Sequence, residues 1–380
     1  MLRKIVISTG LLCLLVACKS TPKPSDPVKL TDIQATASVS VKWRTSIGKT
    51  DSLAFTPVYS RGSIIAANER GQIHEIDYQS GRILSSVDTR STLVSGVAVA
   101  GDLVIAGDSK AQLLAFNRSN RQPVWTQKLT TVLAEAPLLV GNIVITRTKD
   151  GRLSGFDPQS GQALWTFANN PPTLNIRSTG TMLAVSEQLF LVAMAGGGLA
   201  VINAQTGDVV WGVIVATPTG VTDLDRATEV VSRPAAIDGV VCAVAFQGRV
   251  GCFEAQTGNT VWAHPASSSK GLDVAGNFLV LTEDDGTVKA FNRLSGQLLW
   301  HNQDLRNRQT SAPVILPNGI VVGDFDGYIH LLDFQTGRII GRTKSGMGTL
   351  TAQPARIEQY ALMQGKKGDL SLIQSGAASR

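Results

Sequence analysis

Short runs of apolar residues, alternating or nearly continuous, fill most of this chain and are separated by turn residues. Asn142-Ile-Val-Ile-Thr146 and Gly239-Val-Val-Cys-Ala-Val-Ala245 are typical. Runs of five to seven residues closed by Gly, Asn or Asp predict β-hairpins. One composite pattern recurs. In Gly151-Arg-Leu-Ser-Gly-Phe-Asp157-Pro-Gln-Ser-Gly161-Gln-Ala-Leu-Trp165, a Gly opens an alternating stretch, an Asp follows six residues on, then a Gly and a Trp at intervals of four. It returns at Gly71/Asp77/Gly81, Gly197/Asn203/Gly207/Trp211, Gly248/Glu254/Gly258/Trp262, Gly286/Asn292/Gly296/Trp300 and Gly327/Asp333/Gly337. Ala111/Asn117/Arg121/Trp125 is a degenerate copy. The acidic or amide position advances by 40, 40, 46, 51, 38 and 41 residues. A period near 40 built of short strands is the signature of a β-propeller.

Each motif is preceded by another hairpin, so a unit has four strands. Gly368-Asp-Leu-Ser-Leu-Ile373 begins an eighth unit, but the chain stops before its Trp. Val39-Ser-Val-Lys-Trp43 supplies the missing strand from the other end, which accounts for all six Trp; the copies at Ser85 and Gly341 lack one. The prediction is an all-β, eight-bladed β-propeller of four-stranded antiparallel blades, its last blade closed by the N-terminal strand. Such closure removes a free sheet edge. Seven blades is the alternative.

Residues 38–376 then form one propeller domain, with 377–380 a tail. Before it, Arg3 and Lys4 precede a 13-residue, mostly apolar run, Ile5 to Ala17. That is too short to span a bilayer well and reads as a signal peptide over 1–17. Leu15-Val16-Ala17-Cys18 resembles the bacterial lipobox, which implies lipidation of Cys18. Lys19 after the Cys implies delivery to the periplasmic face of the outer membrane. Residues 18–37 are rich in Pro, Ser, Thr and Lys and read as a flexible tether, so the membrane is reached through lipid alone.

Composition agrees with a turn-rich β protein: 37 Gly, 17% charged and 43% hydrophobic residues in 380. The net charge of +6 falls to +4 once Arg3 and Lys4 leave with the signal, which gives no warrant for nucleic acid. The repeat resembles that of quinone-dependent dehydrogenases, yet the chain has no Cys-Cys pair and no C-x-x-C-H. His74, His264, His301 and His330 have no metal-ligand spacing. Gly48-Lys49-Thr50 lacks the upstream Gly of a P-loop, since position 43 is Trp. Asp284-Asp285-Gly286 and Asp324-Phe-Asp326-Gly327 fall at repeat turns and read as turn residues rather than cation ligands. No catalytic constellation, cofactor or metal site is expected. Cys242 and Cys252 flank Gln247-Gly248. A three-residue turn sets them opposite each other and a two-residue turn puts them on opposite faces, so a disulfide and two buried thiols both stay open.

Two interruptions stand out. Trp165 to about Met182 is 17 residues and Trp211 to Pro234 is 23, against 12 to 14 elsewhere. Both are connections from a fourth strand to the next first strand, so both emerge on one rim. They carry Leu174-Asn-Ile176-Arg177 and Thr222-Asp-Leu-Asp225-Arg226-Ala-Thr-Glu229-Val-Val231-Ser-Arg233. With the lipobox and the eight repeats, the chain resembles the BamB family, lipoproteins of the outer-membrane β-barrel assembly machinery. The resemblance implies a non-enzymatic scaffold that docks the periplasmic POTRA region of BamA and assists nascent outer-membrane proteins. It implies docking through Leu174, Ile176 and Arg177, and through an acidic pair that falls here on Glu229 and Val231, so that one acid is lost. Asp225 and Arg226 lie just before that pair. A quinone-dependent dehydrogenase and a propeller with a ligand in its channel are the rival readings.

Overall fold

The computed structural model describes residues 26–50, 54–168, 182–194, 196–217, 228–350 and 353–377. All regular elements among them are strands, in eight four-stranded antiparallel sheets. Numbered along the chain, blades 1 to 7 cover 58–88, 93–128, 138–168, 183–214, 235–266, 271–302 and 314–344, and blade 8 covers 355–377. Strand Ala37–Ser46 pairs with Asp369–Ala377 as the fourth strand of blade 8, so the ring is an eight-bladed propeller closed as expected. Within each blade, strands a to d run from the centre outward.

The burial pattern explains the sequence pattern. Strand b of blade 1, Ser63–Ala67, is buried at every position, as is Gly319–Gly323 in blade 7. Both faces of a middle strand are covered by neighbouring blades, so these strands are continuous apolar runs rather than alternating ones. Outer strands such as Ile83–Asp88 are largely exposed. The core is accordingly not one mass. Ile65 and Val104 belong to a cluster between blades 1 and 2, and Leu191 and Val241 to one between blades 4 and 5. The remaining junctions are filled in the same way, including the closing one, where Trp43, Ile64 and Leu372 meet.

The tryptophans sit at these seams. Trp125, Trp165, Trp211, Trp262 and Trp300 lie on strand d of blades 2 to 6, and Trp43 lies on that of blade 8. Each Nε1 donates to a carbonyl in the turn between strands c and d of the next blade: Tyr78, Pro158, Ala204, Ala255, Arg293 and Phe334 accept at 2.7 to 2.9 Å. Each ring also lies on the Gly of that turn. A Cβ on Gly81 would stand 2.6 Å from the Trp43 ring, and one on Gly337 would stand 2.3 Å from Trp300. These glycines also have positive φ, 72° and 68°, so Gly is required twice over.

Two expectations are refined. Cys242 and Cys252 are direct partners across strands b and c of blade 5, joined through the three-residue turn 246–248, with Gln247 at φ 51°. Their sulfurs are bonded and both residues are fully buried toward blade 6. Residues 26–36, read as part of the flexible tether, lie against the ring instead. They follow blade 7: Val28 N donates to Arg306 O, Arg342 and Arg308 donate to the carbonyls of Thr31 and Val28, and Thr36 N donates to Ile340 O. Leu30 packs on the core between blades 6 and 7. The polar composition suggested a free linker, but this arm's backbone groups find partners on the ring.

Candidate functional site

The acidic residues singled out at turns have structural duties. Asp77 Oδ1 accepts the amide (2.8 Å) and hydroxyl (2.6 Å) of Ser80, and Asp157 does the same with Ser160 at 2.7 Å each. Those bonds favour the ionised form and hold both carboxyls below the ordinary range. Asp285 Oδ1 accepts the Thr287 amide and Asp284 caps Ser269. Asp324 is buried; its Oδ1 accepts the amides of Asp326 and Tyr328, and its Oδ2 meets Arg308 at 2.8 Å and His330 at 3.1 Å. These are turn caps and ion pairs. Among the described residues no group of three His, Cys, Asp or Glu is arranged to hold a metal ion.

The strand directions put the turns between b and c, and the connections from d to the next a, on one face of the ring. The strand ends joined by the two longest connections are on that face: Ala168 and Leu183 between blades 3 and 4, and Ile214 and Ala235 between blades 4 and 5. Leu174, Ile176, Arg177, Asp225 and Arg226 fall outside the described residues, as does Cys18. Glu229 and Val231 are described. Glu229 forms a β-bridge with Phe246, accepting its amide at 2.8 Å, and is buried. Val231 is half-buried and lines a cavity of about 810 Å³ that opens along the ring axis. Glu229 is thus fixed against the turn of its own blade beside the disulfide hairpin, and Val231 turns to the channel.

This arrangement of repeat, closure and face can be set against known proteins. The family model described as outer membrane protein assembly factor BamB matches residues 69–302 and 272–373. The BamB of Bordetella pertussis is 32% identical over 377 residues, 98% of this chain and 97% of that protein. The chain belongs to the BamB family. The crystal structure of BamB from Moraxella catarrhalis superposes with a TM-score of 0.80 at 26% identity, covering 88% of this chain and 99% of that one. The quinohaemoprotein alcohol dehydrogenase of Comamonas testosteroni shares the fold, with a TM-score of 0.69, but only 12% identity. The dehydrogenase reading is therefore set aside: like other BamB proteins, the chain is a non-enzymatic assembly factor.

Two features escaped the sequence reading. The docked arm left a signal in Leu30 and Ile33, apolar residues in a polar stretch, both of which lose exposure against the ring. Arg233, read in the sequence only as the end of the second long connection, faces the channel.

Proposed function

We propose that this BamB-family scaffold docks a BamA-like partner, through its POTRA region, at the face that bears the two long connections. The observation that carries this reading is their placement: on consecutive blades, on one face, and longer than the other connections between blades. Leu174 and Ile176 would supply buried apolar anchors and Arg177 a charge-assisted donor. Asp225 and Arg226 extend the patch. Glu229 supports the second connection from behind through its backbone bridge to Phe246, which does not involve the carboxylate. Cys18 carries the lipid, at the periplasmic face of the outer membrane. The docked arm meets blade 7 beside Arg306, on the same face as the connections. The tether therefore starts from the partner-facing side, and the scaffold holds BamA and nascent barrel proteins close to the membrane.

Affinity purification from membranes tests the docking. Leu174→Asp combined with Arg177→Ala should weaken capture of BamA by more than about 2 kcal/mol, roughly thirtyfold. Undiminished recovery of BamA would overturn the proposed site.

A further inference from the structure

The ring axis holds a site that the assembly role does not use. Two cavities, of about 810 and about 310 Å³, run along it and share three residues: Arg233, Gln353 and Arg356. These form the waist of the channel. Blade 5 supplies Arg233 just before its first strand, and blade 8 supplies the other two around its own first strand.

Among the described residues, the buried arginines have carboxylate partners. Arg308 pairs with Asp324 at 2.8 Å, Arg293 with Asp238 at 3.0 Å and Arg147 with Glu135 at 3.6 Å. Arg233 differs. It is half-buried, its guanidinium makes no hydrogen bond or ion pair among the described residues, and it lines both cavities of the channel. Burial lowers its proton affinity, and the Asp273 charge only partly offsets this. Asp273 is the one carboxylate whose charge acts on both Arg233 and Arg356, and its oxygens already accept the Val274 amide at 2.9 Å and the Ile315 amide at 2.8 Å. Arg356 reaches only the carbonyls of Ile315 and Val274, at 3.5 and 3.4 Å. Gln353 Oε1 accepts the Arg233 amide at 3.0 Å, which leaves its NH2 to donate. Three sets of N–H donors therefore converge on one lumen with no full complement of acceptors. Lys270, also without an ion pair among the described residues, lines the larger cavity; Val58, Pro137 and Val231 give it apolar wall, and Glu135 on the same wall is paired with Arg147 at 3.6 Å.

A guanidinium fork is matched by a carboxylate or phosphate, and a buried cation without a counter-ion is costly unless a ligand supplies one. We propose that the waist binds the oxyanion head of a small organic acid, with Arg233, Arg356 and Gln353 as donors, and that the apolar body of the ligand lies in the larger cavity. The site goes beyond the scaffold role and does not depend on the docking face.

Calorimetric titration of the full mature protein with acetate, octanoate, octyl phosphate and octanol tests this. Octanoate or octyl phosphate should bind saturably, and the tighter of the two identifies the head group. Octanoate should exceed acetate by about tenfold or more, because apolar surface is buried with it. Arg233→Met should weaken binding roughly ten- to a hundredfold. Without ligand, the same variant should melt no lower than the wild type, since it removes an unpaired, half-buried charge. Equal binding of octanol and octanoate, unchanged affinity in Arg233→Met, no saturable uptake of either acid, or a lower ligand-free melting temperature in Arg233→Met would each overturn the proposal.

Discussion

Six of the eight seams between blades are stapled by Trp, and two are not. In a stapled seam, a ring from one blade covers a Gly in the next blade's outer turn and bonds to a carbonyl beside it. At the seam between blades 1 and 2, Ser85 stands where the Trp would be, opposite Glu75. The receiving turn has Arg121, at φ 63°, where the other turns have Gly. Ring and Gly have been lost together. In their place Arg118 from blade 2 reaches back to Glu75 at 2.5 Å. At the seam between blades 7 and 8, Gly341 takes the Trp position. Blade 8 has no turn between strands c and d to receive a ring, because its fourth strand comes from the N-terminus. The entering chain fills that space instead: a Cβ on Gly341 would stand 2.8 Å from the Ala37 carbonyl. Trp and Gly thus form one unit split across two blades. Where topology or sequence removes one half, the other half goes too.

The largest test concerns closure. Removing residues up to Ser46 takes away the fourth strand of blade 8, the ring of Trp43 and the filler at Gly341. The remaining chain should not reach a cooperative fold, as read by loss of a single urea transition. Next, Trp262→Ala or Trp211→Ala should cost about 3–5 kcal/mol, since each is a large buried aromatic. Gly161→Ala should also be severe, because its Cβ would meet the Trp125 ring at 2.6 Å and its φ is 71°. At the unstapled seam, Ser85→Ala should change stability by less than about 0.5 kcal/mol. A tryptophan variant that loses no more than Ser85→Ala would break the contrast between the seams.

Replacing both Cys242 and Cys252 by Ser should cost about 3 kcal/mol or less, as expected for a short closed loop. The unreduced, unfolded protein should show no free thiol on these two residues by mass spectrometry. The Arg118–Glu75 pair ranks lower, because it is partly exposed. Glu75→Gln should cost about 1 kcal/mol. In a Glu75→Ala, Arg118→Ala background, Ser85→Trp with Arg121→Gly should restore a stapled seam and recover stability. Failure to recover would show that the ion pair is more than a substitute.

The ring was readable in the sequence because each blade repeats the same local demands: a Gly at positive φ, a short capping side chain, an apolar middle strand. Those are interactions within about twenty residues. The absence of Trp at Ser85 and Gly341, and of Gly at Arg121, was equally visible. Their connection was not, since a ring and its Gly lie about one blade apart and only the closed ring brings them together. The arm at 26–36 was read as free for a similar reason. Composition describes what a segment can bury by itself, while Val28, Thr31 and Thr36 are held through backbone groups, which composition does not reveal. The docking candidates were legible only as interruptions of the period, with the residue choice coming from family resemblance. Of these, Glu229 and Val231 have their places fixed by Phe246 and by the channel wall. Arg233 belongs to no repeat and had no local pattern to announce it.

The smallest effect sharpens the comparison at blade 7, where charge rather than a ring holds the arm. His330 is fully buried. Its Nδ1 accepts from Arg342 Nε at 3.2 Å, so Nε2 carries the proton and donates to Asp324 Oδ2. Burial lowers the His330 proton affinity, against the opposing pull of Asp324. The Asp324 carboxyl stays below its ordinary range although burial alone would raise it, because His330 and Arg308 stabilise the anion. Both shifts have the same sign for stability. Below about pH 6.5 the unfolded chain protonates His330 while the folded ring resists, so stability falls as pH drops through that value. A second loss follows lower down, as pH falls below the ordinary carboxylate range and through the depressed value of Asp324. A protonated His330 would also turn an N–H toward Arg342, which donates in turn to the Thr31 carbonyl of the arm. Unfolding free energies from urea melts between about pH 7.5 and 5.5 should therefore decline by about 1 kcal/mol in the wild type, and amide exchange should rise at residues 28–36 first. His330→Gln should flatten that decline while leaving the carboxylate loss in place. An unchanged pH dependence in His330→Gln would assign the acid sensitivity in this range to His74, the other histidine whose proton affinity burial lowers.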